Sequence, residues 1–149
     1  MPQIPKKLIL FFIVFSFIGF LDAAYLTVQH YTQGILPCYV FKGCDLVTSS
    51  PYATIAGFPI ALLGAFYYLT ILLVSILFLD TSNTKLLRVL ANLPILGFLV
   101  SLFLVYLQLF VIHAICFYCM TSAISSTLLF VFGYYIIRLK RKGGGRNNL

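Results

Sequence analysis

Residues 8–29 read LILFFIVFSFIGFLDAAYLTVQ, and this stretch decides the fold. Asp22 is its only charged residue. At the helical rise per residue, such a run extends about 33 Å, enough to cross the hydrocarbon core of a bilayer. Lys6 and Lys7 precede it, as bases precede the apolar core of a signal peptide. The run is long for a signal peptide, and no clear small-residue cleavage site follows it. It reads as a retained transmembrane helix.

Three further apolar runs cover about residues 55–79, 86–111 and 114–137. Pro59 is expected near the first turn of the second, where its missing N–H costs little, and Pro94 is placed to kink the third. The composition agrees: 62% of the 149 residues are hydrophobic and 9% are charged, with a mean hydropathy of +1.06. A soluble domain carries about 25% charged residues. The chain is therefore predicted to be an all-α membrane protein, a four-transmembrane-helix bundle. One integral membrane domain is expected over residues 1–142, with a flexible cytoplasmic tail at 143–149. One long polar loop, residues 30–54, joins the first two spans.

The net charge is +7, with three Asp and no Glu. No phosphate-binding glycine loop or nucleic-acid motif accompanies it, so no nucleic-acid partner is expected; the partner surface is the lipid bilayer. Lys6 and Lys7 flank the N-terminus, Lys85 and Arg88 the short turn between spans two and three, and Arg138, Lys140, Arg141, Lys142 and Arg146 the tail. On the opposite face Lys42 stands alone. This bias predicts a multi-pass protein of the cytoplasmic membrane with both termini in the cytoplasm.

All four cysteines, Cys38, Cys44, Cys116 and Cys119, then face the exoplasmic side, where disulfides form and persist. Cys38 and Cys44 are spaced Cys-x5-Cys in the long loop. Cys116-Phe117-Tyr118-Cys119 opens the fourth span. Residues three apart on a helix share a face, and the unpaired N–H groups and dipole of a helix start favour a thiolate. Two adjacent dithiols can pass electron pairs by thiol–disulfide exchange. The implied flow runs from an external dithiol through the loop pair to the second pair, and then to a lipid-soluble quinone. Other readings make the loop cysteines a static staple, or the four thiolates a zinc site. Cys-x5-Cys is an unusual zinc half-site, so no metal is expected.

Several other residues are candidates. Asp22 is an intramembrane acid, costly and functional by default; it either manages a quinone proton or pairs structurally with a Tyr or Thr. His113 is placed to stabilise a Cys116 thiolate or is simply interfacial, as His30 is. Phe117 and Tyr118 stand where they could flank a ring. Gln108, Gly57, Pro59 and Ala61 either line a pocket or pack the backbone.

The pattern Cys38-x5-Cys44-x2-Val47-x2-Ser50, with Tyr52-Ala53, Gly57-Phe58-Pro59 and Gly64, resembles the vitamin K epoxide reductase family. Tyr25-Leu26-Thr27 and Cys116-Phe117-Tyr118-Cys119 with Thr121 fit as well, so the likeness covers about residues 8–137. It implies four helices around a quinone pocket, capped from outside by a short helix in the exoplasmic loop. It implies that Cys38 meets a periplasmic or exoplasmic thioredoxin-like (DsbA-type) partner, that Cys44 carries the disulfide to Cys116, and that Cys119 lies beside the quinone ring. Ser50, Phe117, Tyr118, Thr121 and Asp22 are the accompanying candidates for the pocket. The quinone would be of the ubiquinone, menaquinone or vitamin K type. Prokaryotic members drive disulfide formation in exported proteins, and this chain resembles one without a fused thioredoxin domain. Animal members have a Thr-Tyr pair after the second dithiol, where this chain has Thr121-Ser122-Ala123. That difference favours quinone-dependent thiol oxidation over the alternative, vitamin K epoxide reduction.

Overall fold

A computed structural model describes residues 4–33 and 43–144. Five helices carry the fold: α1 (Lys6–Thr32), α2 (Cys44–Thr48), α3 (Ile60–Thr81), α4 (Thr84–Tyr106) and α5 (Phe117–Gly144). Four of them, α4 taken together with its continuation to Ile112, are long and apolar enough to cross a membrane. The expected all-α membrane bundle is what forms.

The element boundaries depart from the sequence reading in three places. The second span starts at Ile60, because Thr54–Ile55 and Phe58–Pro59 pair as the antiparallel strands β1 and β2 of a small hairpin. Ala56 and Gly57 turn that hairpin with φ of 52° and 84°, the positive pair that a two-residue primed turn requires. Pro59 is the N-cap of that helix, directly before its first turn. The third span absorbs Pro94 within α4 and then loosens into a π-helical segment, Leu107–Ile112. The fourth starts at Phe117 and continues through Gly144, so Arg138, Lys140, Arg141 and Lys142 ride on its last turns. Of the predicted tail, residues 145–149 lie outside the described residues, as do Cys38 and Lys42 of the loop.

The helices close a ring. α1 packs on α3 and α5, and α4 packs on α5 and α3. Between α3 and α4 stand only Ser82 and Asn83, and the Asn83 side chain caps α4 by accepting the Lys85 N–H at 3.0 Å. Phe12, Tyr68, Ile71, Leu90, Leu129 and Ile136 are fully buried at the centre. Gly19 lies flat against the Tyr68 ring, and a Cβ there would overlap it. In lipid, burying apolar surface between helices gains little from the hydrophobic effect, so close packing and internal hydrogen bonds hold the bundle. Its outer face is accordingly apolar, with Leu10, Phe11, Phe66, Leu73, Phe103 and Ile124 all exposed.

Polar side chains in the bundle mostly bond to their own helix. Ser16 donates to the Phe12 carbonyl at 2.5 Å, Thr27 to Ala23 at 2.8 Å and Ser75 to Ile71 at 2.7 Å. This satisfies each hydroxyl without a partner helix. Two buried side-chain atoms break the pattern among the described residues: Asp22 Oδ2 and Tyr67 Oη have no hydrogen-bond partner.

Candidate active site

At the loop end of the ring, the chain brings α2 onto the start of α5. Gly43 makes this possible. A Cβ at Gly43 would stand 2.7 Å from the Ile115 carbonyl oxygen and 2.8 Å from its nitrogen, so only glycine lets the two backbones approach. The next residue, Cys44, is thereby buried in one cluster with Cys116, Leu26, Val47 and Ala114. Cys44 and Cys116 are 1% and 0% exposed, so water and soluble thiols cannot reach either without movement of the loop. Cys44 is disulfide-bonded, whereas Cys116 and Cys119 are free thiols.

Cys116 is held from below by the π-helical segment. The Gln108 side-chain carbonyl accepts the Cys116 N–H at 3.0 Å, and its main-chain carbonyl accepts the Ala114 N–H at 3.1 Å. His113, between them, takes a left-handed φ of 55° to end the π turn, and its side chain is exposed. π turns of this kind recur at functional sites because they re-aim the chain. The carbonyl of Cys116 then accepts the Met120 N–H at 3.1 Å, which starts α5. The Cys116 pKa is pulled down to about 7. The largest cause is the Cys119 thiol, which hydrogen-bonds to the Cys116 sulfur; burial opposes this, and the N–H groups of Cys119 and Tyr118 assist it.

One turn on, Cys119 lines a cavity of about 440 Å³ bounded by α1, α3, α4, α5 and the loop. The walls are largely apolar, with Leu26, Val47, Ile60, Leu96, Val100 and Leu104 among them. Pockets that bury small ligands have this size and character. Val47 and Thr48 of α2 and Ser50 close the loop side, with Ser50 Oγ donating to the Val47 carbonyl at 2.8 Å. The short loop helix thus caps the cavity.

Of the residues singled out in the sequence, Asp22, Ser50 and Cys119 line this cavity, as do Pro59, Ala61, Gln108 and His30. Phe117, Tyr118 and Thr121 are not among its lining residues. Phe117 is exposed, the Tyr118 ring packs on Tyr25 at a centroid distance of 5.3 Å, and Thr121 donates to the Phe117 carbonyl at 3.0 Å. Gly57 sits in the open hairpin turn. Two residues escaped the sequence reading. Gly43 gives no local signal for its tight approach, whereas Tyr67, a phenol within an apolar span, is a visible clue.

The chain belongs to the vitamin K epoxide reductase family, whose model matches residues 10–134. Membership makes it an oxidoreductase of the membrane, acting on thiols or quinones. A search of the curated proteins found no match.

Proposed function

We propose that the protein is a quinone-dependent thiol oxidase that makes disulfides for exported proteins. The observation that carries this reading is the division of labour between two neighbouring cysteines: Cys116 is packed with Cys44, while Cys119 lines the apolar cavity. Electrons entering at the loop therefore leave at the cavity.

A reduced thioredoxin-like partner attacks a Cys38–Cys44 disulfide at Cys38. The partner's second thiol resolves that bond, so the partner leaves oxidised and the loop pair reduced. The Cys44 thiolate next attacks a Cys116–Cys119 disulfide at Cys116, forming a Cys44–Cys116 bond and freeing Cys119. Cys38 then attacks Cys44, restoring the loop disulfide and releasing Cys116. A sulfur of low pKa is the better leaving group in this exchange, and Cys116 has that character. The Cys116–Cys119 dithiol finally loses two electrons and two protons. A quinone bound in the cavity supplies the oxidising power by taking up both pairs. The residues fit such a ligand: apolar walls for the ring and tail, and Asp22 Oδ2 and Tyr67 Oη as polar groups free to meet its oxygens.

The test is quinol formation by purified protein given a reduced thioredoxin-like protein. Each Cys→Ala variant should lose it. Full turnover in Cys119→Ala would sink the assignment, and stoichiometric bound zinc would favour a structural role for the cysteines.

A further inference from the structure

Among the described residues, Asp22 is the one carboxylate left without a partner inside the bundle. The hydroxyls of Ser16, Thr27 and Ser75 are tied to their own helices. Asp22 lines the cavity instead, and its Oδ2 is buried with no partner among the described residues. Among the described residues, no lysine or arginine lines that cavity to neutralise it. An unpaired acid at membrane depth is costly to keep, which argues for a working role. The groups facing it are nearly all redox-active or phenolic. Cys116 just before α5, Cys119 and Tyr118 within it, and Tyr68 of α3 lie within its electrostatic reach. Tyr67 of α3, His30 of α1 and Tyr52 of the loop share the cavity wall. α4 contributes no titratable side chain to that wall.

We infer that Asp22 is the proton carrier between the Cys116–Cys119 dithiol and the electron acceptor, with the Tyr67 hydroxyl gripping an acceptor oxygen. This rests on the thiol-oxidase reading and adds the proton path that it lacks. When the dithiol closes to a disulfide, the S–S bond forms and two electrons pass to the quinone. The two thiol protons must also cross an apolar cavity. Asp22 takes the Cys119 proton and gives it to the acceptor, then takes and gives the Cys116 proton in the same way, ending in the state in which it began. The dithiol gives up two electrons and two protons, which a quinone acceptor would take up in full, so protons and electrons balance. The Tyr67 hydroxyl, pressed against Gly97 with the Ser126 hydroxyl beside it, lies in the same cavity wall and can donate to a ligand oxygen.

The experiment compares wild type, Asp22→Asn, Asp22→Glu and Tyr67→Phe, purified in detergent and given a soluble quinone analogue. Asp22→Asn should slow quinol formation about a hundredfold, the contribution typical of a positioned acid–base group. Its residual rate should fall as pH rises, because its protons must come from water. Asp22→Glu should restore most of the rate and the wild-type pH profile. Tyr67→Phe should raise KM for the quinone about fivefold and leave the pH profile alone. Infrared difference spectra, reduced minus oxidised and without quinone, give a readout independent of turnover. A carboxyl band should appear in wild type, shift in Asp22→Glu and vanish in Asp22→Asn. The inference is overturned if Asn matches wild type in rate and pH profile, or if the carboxyl band survives in Asn. If wild type makes no quinol, the thiol-oxidase reading fails, and the infrared arm alone still decides whether Asp22 exchanges a proton with the dithiol.

Discussion

The side-chain carbonyl of Gln108 accepts the backbone N–H of Cys116 at 3.0 Å, out of contact with solvent. It ties the end of one span to the first residue of the redox pair on the next. Without it, a buried donor would stand unsatisfied, at about 1–3 kcal/mol. Gln108→Leu should destabilise the protein by about that amount in detergent unfolding. It should also slow quinol formation, since Cys116 would no longer be fixed beneath Cys44. Unchanged stability together with unchanged turnover would remove Gln108 from this role.

Gly43 controls the meeting of Cys44 and Cys116. Its missing Cβ leaves room for the Ile115 backbone, which cannot give way as a flexible side chain could. Gly43→Ala should push α2 outward. In a Cys38→Ser background, the Cys44–Cys116 bridge should accumulate, and adding Gly43→Ala should cut its yield about tenfold, an equilibrium change of about 1.4 kcal/mol. Non-reducing mass mapping reads the bridge directly. An equal yield would mean that the loop reaches Cys116 by another approach.

The Cys116 pKa of about 7 depends mainly on the neighbouring thiol of Cys119. The thiolate is therefore present above about pH 7 and lost as pH falls through that value. With Cys38 and Cys44 replaced by Ser, thiolate absorbance of the reduced protein should titrate with its first midpoint near 7. Removing the donor in Cys119→Ala should move that midpoint upward, toward the ordinary thiol value of about 8.5. A midpoint that stays low in Cys119→Ala would transfer the effect to the backbone N–H groups of the helix start.

Much of this arrangement was legible in the chain itself. Four apolar runs define four spans because length in hydrocarbon is a strict requirement, and the two cysteine pairs stand out against an apolar background. What escaped depends on backbone approach. Gly57-Phe58-Pro59 signals a turn, but Ala56 in the left-handed region does not advertise itself, so the apolar pattern alone extends the helix over the hairpin. Gln108 is visibly polar in an apolar run, yet nothing local says that its partner is eight residues on, across a π turn. Phe117 and Tyr118 lie between the two cysteines in sequence, but helical rotation turns them away from the wall that Cys119 joins.

The membrane orientation expected from the basic residues has its own check. Ser82 and Asn83, in the exposed turn between α3 and α4, sit near Lys85 and Arg88 and should lie in the cytoplasm. Ser49, exposed at the end of α2, should lie on the opposite side with the redox pairs. In a cysteine-free background, Ser49→Cys should react with a membrane-impermeant thiol reagent added to intact cells, and Ser82→Cys should react only after the membrane is opened. Both positions are at surface turns, so neither substitution disturbs packing by more than about 0.5 kcal/mol. The reverse labelling pattern would put Cys44 and Cys116 in a reducing compartment and leave the proposed export of disulfides without a site.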